Sequence, residues 1–365
     1  MIKISSFAVH VTYTCPLTCA HCCFSSSPAN KDRLPVPYIL QTIKALKPLN
    51  LEMIAFTGGE PFLLGADLAL CVAEAASLGM RVRVVTSAHW ATTESSTEKQ
   101  LKRLVDAGLT ELSISWDDFH EEFVDFSNIK RAFNIARGLG VTTAISIVQS
   151  ASSRWTANRV RAEIGASLSE SDVVVESPLN QTGRAEEELA RSGMRPQRHV
   201  GPCPYVLTGP TLNARGKLLA CCGVIPETSR LIIDHEPTPE SILNSIDIAR
   251  SSALLNWLNL RGPYAIIQSI GEDFGEIVPE KKSIGGNCEA CRILFETPSI
   301  SRHIDKAVEN KKTHISAELE LLNSLGLLTS DGIIGLWKDG RAWLDADVSH
   351  PRNPPSLGEG NHAGD

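Results

Sequence analysis

The chain has 365 residues, 42% of them hydrophobic and 21% charged, with a formal net charge of -7 and a pI near 5.8. That is ordinary for a globular protein long enough for two domains. There is no basic stripe to support nucleic-acid binding. No run of 18 apolar residues could span a membrane, and the opening MIKISSFAVHVTYTC is too short and polar for a signal peptide. The expectation is a soluble, cytoplasmic protein with neither nucleic acid nor membrane as partner.

Residues 7–13 (FAVHVTY) read as a strand running into a cysteine loop, and 37–49 as a helix. LEMIAFTGG at 51–59 is an apolar strand ending in a Gly pair, followed by a helix at 65–79 closed by Gly79. Strand 81–87 and helix 96–108 follow, then strand 111–117 (ELSISWD), helix 127–140, strand 141–149, helix 155–168 and strand 172–178 (DVVVESP). Six apolar β-rich runs alternating with helices are the signature of βα units and a parallel sheet. Six units fall short of a closed eight-stranded barrel, and in either an open barrel or an open sheet functional groups gather at the C-terminal strand ends. The Gly pair, Ser87, Asp117 and Pro178 all fall there.

After residue 178 the pattern changes. A charged, Pro/Gly-broken connector leads to a hairpin expected within 203–230, with its turn at Arg215-Gly216. One helix is expected over 239–259, loop over 262–287, two helices over 299–326, a hairpin over 331–345, and a disordered tail from Val348. The expected domains are 1–185, 186–298, a helical appendage at 299–345 and a tail at 346–365.

Ten cysteines are many for such a chain, and they cluster at 15, 19, 22 and 23, at 203, 221 and 222, and at 288 and 291, with Cys71 alone. In a reducing compartment clustered cysteines more often bind metal than form disulfides. Cys15-x3-Cys19-x2-Cys22 brings three thiolates together in one loop at low entropic cost, as iron–sulfur clusters require, and leaves one metal position without a protein ligand. A zinc knuckle is the alternative, although no partner Cys/His pair follows within the next hundred residues.

CPLTCAHC at 15–22 resembles the CxxxCxxC signature of the radical S-adenosylmethionine (SAM) superfamily, and TGGEP at 57–61 resembles its second landmark at the end of the second strand. The resemblance covers residues 7 to about 180. It implies a partial (β/α)6 barrel in which Cys15, Cys19 and Cys22 hold a 4Fe-4S cluster and SAM binds the open iron. Thr57, Gly58, Gly59 and Glu60 would line the methionine amino group, chiefly through backbone, because glycine permits close approach. Ser113 and Ser115 share one side of the fourth strand. In similar enzymes that strand touches ribose or carboxylate, although satisfied core hydroxyls fit equally. Asp117, Asp118 and His120 resemble a stretch common in peptide-modifying members and are candidates to line the substrate cavity. A helix-capping acidic cluster is the plainer alternative.

Cys203, then Gly216 and, after four intervening residues, Cys221 resemble the opening of the SPASM and Twitch auxiliary-cluster modules. The resemblance implies a second 4Fe-4S cluster on Cys203, Cys221, Cys288 and Cys291, with structural zinc as the alternative. A full SPASM domain would need more cysteines after 291. Cys222 is left over as an alternative ligand, a buried thiol or a hydrogen donor in the active site. The reading is a radical SAM enzyme modifying a ribosomally made precursor peptide, with a flavodoxin- or ferredoxin-type electron donor. The sharpest form is Cα epimerisation with Cys222 returning hydrogen. Carbon–carbon or thioether crosslinking, small-molecule oxidation or rearrangement, and a zinc or redox-sensing protein are the alternatives.

Overall fold

A computed structural model describes residues 2–150, 152–165, 173–179, 182–186, 200–221 and 229–328. Six parallel strands form the first part of the sheet: β1 (Ser6–Thr12), β2 (Met53–Gly58), β3 (Arg81–Thr86), β4 (Glu111–Ser115), β5 (Thr142–Gln149) and β6 (Val173–Pro178). Between them run α1 (Val36–Ala45), α2 (Ala66–Ser77), α3 (Glu94–Asp106), the single turn α4 (Asp118–Glu121), α5 (Phe126–Gly138) and α6 (Ala157–Ile164). The strand order is 6-5-4-3-2-1, and β1 pairs with β2 and β7 rather than closing onto β6, so the parallel array stays open. This is the α/β architecture expected of the βα alternation.

Hydrophobic burial fixes this register. Ile54, Phe56, Val82, Val84, Leu112, Ile114, Ile145 and Ile147 are fully buried at alternate positions of β2 to β5. Each such side chain contributes about 2 kcal/mol relative to exposure, and a one-residue slip would turn the whole set outward. Caps set the helix entries: Thr93 accepts from Ser96 N at 3.3 Å before α3, and Asp125 accepts from Ser127 N at 2.7 Å before α5.

The expected hairpin continues the same sheet. Strands β7 (Thr211–Leu212) and β8 (Leu218–Leu219) pair antiparallel, and β7 lies parallel to β1 with Ala8 opposite Thr211 and Val9 opposite Leu212. A strand absent from the sequence reading, β9 (Ile232–Asp234), pairs with β8. The expected helix over 239–259 is two, α7 (Ile242–Arg250) and α8 (Ala253–Arg261), because Ser252 breaks the first and its hydroxyl caps the second, accepting from Leu255 N at 3.4 Å. The expected loop over 262–287 instead contains α9 (Pro263–Phe274). Gly262, at φ +83°, ends α8, and Pro263 then stands in the first turn of α9, where its missing N–H costs nothing. Cys288 and Cys291 lie on α10 (Asn287–Glu296) rather than on a loop. Short α11 (Pro298–Ser301) precedes the long α12 (Ile304–Ser324). The expected hairpin at 331–345 and the tail lie outside the described residues. No described helix is long and apolar enough to cross a membrane.

Candidate active site

The cysteine loop hangs from the C-terminal end of β1 and is packed against the C-terminal end of β2. Gly59 N donates to Thr12 O at 2.6 Å, and Glu60 N donates to Thr14 O at 3.0 Å. A Cβ at Gly59 would stand 2.2 Å from Thr14 O, and one at Gly58, with φ +122°, would stand 2.3 Å from Thr12 O. Both contacts are with rigid backbone, so only glycine lets β2 lie against the root of the loop. Within the loop, Cys15 N donates to Ser27 O at 3.2 Å, Cys22 N to Cys19 O at 3.1 Å, and Ser26 N to Cys22 Sγ at 3.4 Å.

Cys15, Cys19 and Cys22 lie within electrostatic reach of one another. Cys15 and Cys19 are buried, and none of the described cysteines forms a disulfide. Burial pushes the Cys15 thiol up to about 12 and the Cys19 thiol higher still. As bare thiolates these groups would be costly to desolvate. As ligands to a metal–sulfide group they are compensated, and the N–H directed at Cys22 Sγ is the kind of hydrogen bond that tunes such sulfurs. The three donors therefore fit an iron–sulfur cluster.

Glu60 is wholly buried and its carboxylate is spent inside the protein. It accepts from Thr86 Oγ1 at 2.8 Å, Ser87 N at 3.0 Å, Ser87 Oγ at 2.7 Å and Phe62 N at 3.2 Å, with His89 Nδ1 at 3.4 Å. Burial alone would raise its pKa, but His89, Ser87 and Thr86 outweigh that and hold it below the usual carboxylate range. The side chain thus ties the end of β2 to the end of β3, leaving Thr57, Gly58 and Gly59 to present backbone. Glu60→Gln retains the shape but sets an NH2 against hydrogen-bond donors. The expected cost is about 2 kcal/mol in denaturant unfolding at neutral pH. An unchanged midpoint would show that the carboxylate is dispensable.

Asp117 and His120 come together with a residue from the cysteine motif. Asp117 is fully buried and caps α4, accepting from Phe119 N at 3.1 Å and His120 N at 3.0 Å. The same carboxylate meets His120 Nδ1 at 2.8 Å, Val148 N of β5 at 3.2 Å and His21 Nε2 at 3.3 Å. Burial opposes its ionisation, yet His120 and His21 outweigh burial and hold the carboxyl far below its ordinary range. Burial lowers the pKa of His21 against the pull of Asp117. A neutral His21 then carries its proton on Nε2, toward Asp117, and Nδ1 is left as a buried acceptor without a partner. His21 also stacks on Phe119, with ring centroids 4.6 Å apart. The donors of His21, Asp117 and His120 lie within 4.8 Å of one another. The Asp117 oxygens are already saturated by backbone and imidazole donors, so the cluster is a hydrogen-bonded anchor. Asp118 binds outward, to Arg154 N and Nε.

Ser113 is buried and Ser115 half-buried on β4, opposite Ala144 and Ser146 of β5. A further contact was not legible in the sequence. The segment after β6 covers the loop: Arg184 N donates to Cys22 O at 3.1 Å, and Arg184 Nε donates to Cys19 O at 3.0 Å. A connector at this distance in sequence carries no motif that would have flagged it.

In the C-terminal part, Cys203, Cys288 and Cys291 lie within electrostatic reach of one another. Burial raises all three thiols, Cys288 to about 11. Asn287 staples the two segments, accepting from Gly201 N at 3.0 Å and donating to Pro202 O at 3.1 Å. Asn259 of α8 donates to Val206 O at 2.7 Å, and Cys203 N donates to Leu258 O at 3.2 Å. Cys221, beyond β8, is buried in the same apolar core as Cys203 and Cys291. Three adjacent half-buried thiols again fit a metal group better than bare thiols. Cys222 lies outside the described residues.

Residues 9–149 match the model of the Radical SAM superfamily. YydG of Bacillus subtilis, provisionally named a peptide biosynthesis protein, is 27% identical over 131 residues, 36% of this chain and 41% of that protein. The PqqA peptide cyclase of Bradyrhizobium diazoefficiens is 31% identical over 121 residues, 32% of this chain and 30% of that one. The match thus spans about two fifths or less of these relatives' length. Among solved structures, Streptococcus suis SuiB bound to S-adenosylmethionine aligns over 60% of this chain and 61% of its own, with 12% identity and a TM-score of 0.46.

Proposed function

We propose that this chain, whose residues 9–149 form a radical SAM domain, is a radical SAM enzyme that modifies a ribosomally made peptide. The carrying observation is the three-thiol loop of Cys15, Cys19 and Cys22 packed against the Gly58-Gly59 end of β2, at the mouth of a parallel sheet. The peptide substrate rests on the named activities of its relatives, a peptide cyclase and a protein assigned to peptide biosynthesis.

A 4Fe-4S cluster with SAM on its open iron supplies, on one-electron reduction, a 5′-deoxyadenosyl radical able to abstract hydrogen from substrate. The protein's part is to hold, orient and exclude water. Cys15, Cys19 and Cys22 hold the cluster. Backbone of Thr57, Gly58 and Gly59 would accept the methionine ammonium, and Ser113 and Ser115 would serve its ribose or carboxylate. Asp117, by anchoring His21 and His120, sets the cavity wall beside the loop. Cys203, Cys288 and Cys291, with Cys221 as the fourth, would hold a second cluster, and a flavodoxin- or ferredoxin-type protein would be the electron donor.

The finer reading is Cα epimerisation. Cys222 returns a hydrogen atom to the opposite face of the peptide Cα, and the resulting thiyl takes one electron and one proton from the donor to reform the thiol. With the electron that cleaves SAM, a turnover consumes two electrons and one proton and leaves the peptide at its original oxidation level.

The test is anaerobic turnover with SAM and dithionite in heavy water, with any short precursor peptide found encoded beside the gene as substrate. Expected are 5′-deoxyadenosine and a product of unchanged formula carrying one deuterium at Cα. A product lacking two hydrogens would replace epimerisation by crosslinking, and absence of 5′-deoxyadenosine would sink the whole reading.

A further inference from the structure

We propose that Arg184 is a positioning and charge-tuning residue for the group held by Cys15, Cys19 and Cys22, clamping their loop and raising the reduction potential of the bound cluster. The inference rests on the function proposed above. It extends that reading to a residue in the connector after β6, far from either sequence motif.

Two sets of contacts carry it. The first is mechanical. Arg184 grips the loop from both backbone and side chain, through N to Cys22 O at 3.1 Å and Nε to Cys19 O at 3.0 Å. The residue before it is shaped for the same contact. Gly183 has φ +59°, and a Cβ there would stand 2.6 Å from Cys22 O and 2.5 Å from Cys23 O. The chain after β6 is thus laid directly on the carbonyls of the ligand loop, which only glycine permits.

The second is electrostatic. The guanidinium acts on both the Cys15 thiol and the His21 ring, and its Nη2 is buried with no hydrogen-bond partner. A guanidinium always carries its charge. Held against the ligand loop and within electrostatic reach of Cys15, with one N–H group unspent and shut off from water, it stabilises negative charge on whatever the loop thiolates bind. Reduction adds one electron, and so one unit of negative charge, to the cluster. A fixed neighbouring cation favours the reduced form and raises the potential, since net charge and hydrogen bonding tune iron–sulfur potentials. The two buried carboxylates that act on the loop thiols, Glu60 on Cys15 and Asp117 on Cys19, are each compensated by their own ring of donors.

The test is a redox titration by electron paramagnetic resonance on the reconstituted full-length chain, following the reduced-cluster signal that changes when SAM is added. That signal belongs to the cluster with the open iron. Arg184→Gln is expected to shift the reduced-to-oxidised ratio at fixed potential by about tenfold toward oxidised, a potential about 59 mV lower for one electron. Arg184→Lys, which keeps the charge and loses the fork, is expected to stay near the parent. Equal potentials in the parent and the Gln variant, or an equal fall in Gln and Lys, would overturn charge tuning. Should Gln fail to load the cluster, loading by Lys but not by Arg184→Met would support the charge, and failure of all three would reduce Arg184 to a clamp. A parent protein with no SAM-responsive signal would instead overturn the proposed function.

Discussion

Cys19→Ala is expected to abolish the proposed reductive cleavage of SAM while the chain stays folded. Cys19 is buried in the loop and lies within electrostatic reach of both Cys15 and Cys22. Removing one of three thiolates leaves a cluster with two open corners and no means of holding its registry against β2. Changes in groups that merely support metal ligands cost roughly 10–100-fold in affinity or activity, and loss of a ligand itself is expected to exceed that. The measurement is 5′-deoxyadenosine formed with dithionite, together with iron content and thermal unfolding. Cys19 lies at the loop margin of the main apolar core, and the fold should survive because removing one sulfur leaves the large buried side chains of the sheet, from Ile54 to Ile147, in place. Activity within tenfold of the parent would remove the loop from the mechanism.

Asp117→Ala is expected to cost about 3–5 kcal/mol of stability, the range for deleting one member of a buried charged network. The carboxylate accepts from the amides of Phe119, His120 and Val148 and faces both His21 and His120. Alanine would leave these donors buried without acceptors. The effect has a pH signature. The folded carboxyl sits far below its unfolded value of 3.8. Its stabilisation is therefore complete above that value and is lost as the pH falls toward the folded pKa. The gap between parent and variant should be widest above pH 5 and shrink below about pH 3.8, in urea unfolding followed by circular dichroism. A constant gap across that window would show that ionisation of Asp117 contributes nothing. Asp117→Asn, which keeps one acceptor, should fall between the two.

Glu60 and Asp117 show how a buried carboxylate at a strand end serves two different anchors. Glu60 joins β2 to β3 through hydroxyl and amide donors, and Asp117 joins α4 and β5 to the cysteine loop through two imidazoles. Both carboxylates are consumed by the scaffold. The surfaces left to a bound molecule are therefore backbone at Thr57 to Gly59, the serines of β4, and the unspent polar atoms of the loop and its cover, among them His21 Nδ1, Ser26 Oγ and Arg184 Nη2.

The sequence by itself determined the βα alternation, the strand-end positions of the Gly pair, Ser87 and Asp117, and the three-thiol loop. Each is local: period-two and period-3.6 burial, turn glycines, and cysteines a few residues apart. Only the tertiary structure decided that Gly262-Pro263 starts a helix rather than a loop, that the β7–β8 hairpin extends the barrel sheet, and that Cys203 meets Cys288 and Cys291. It also decided that His21 faces Asp117 and that Arg184 grips the carbonyls of Cys19 and Cys22. These pairings join distant segments, Arg184 meeting Cys19 across 165 positions of sequence. They are set by where the packed sheet delivers its strand ends, information that no short stretch of residues carries.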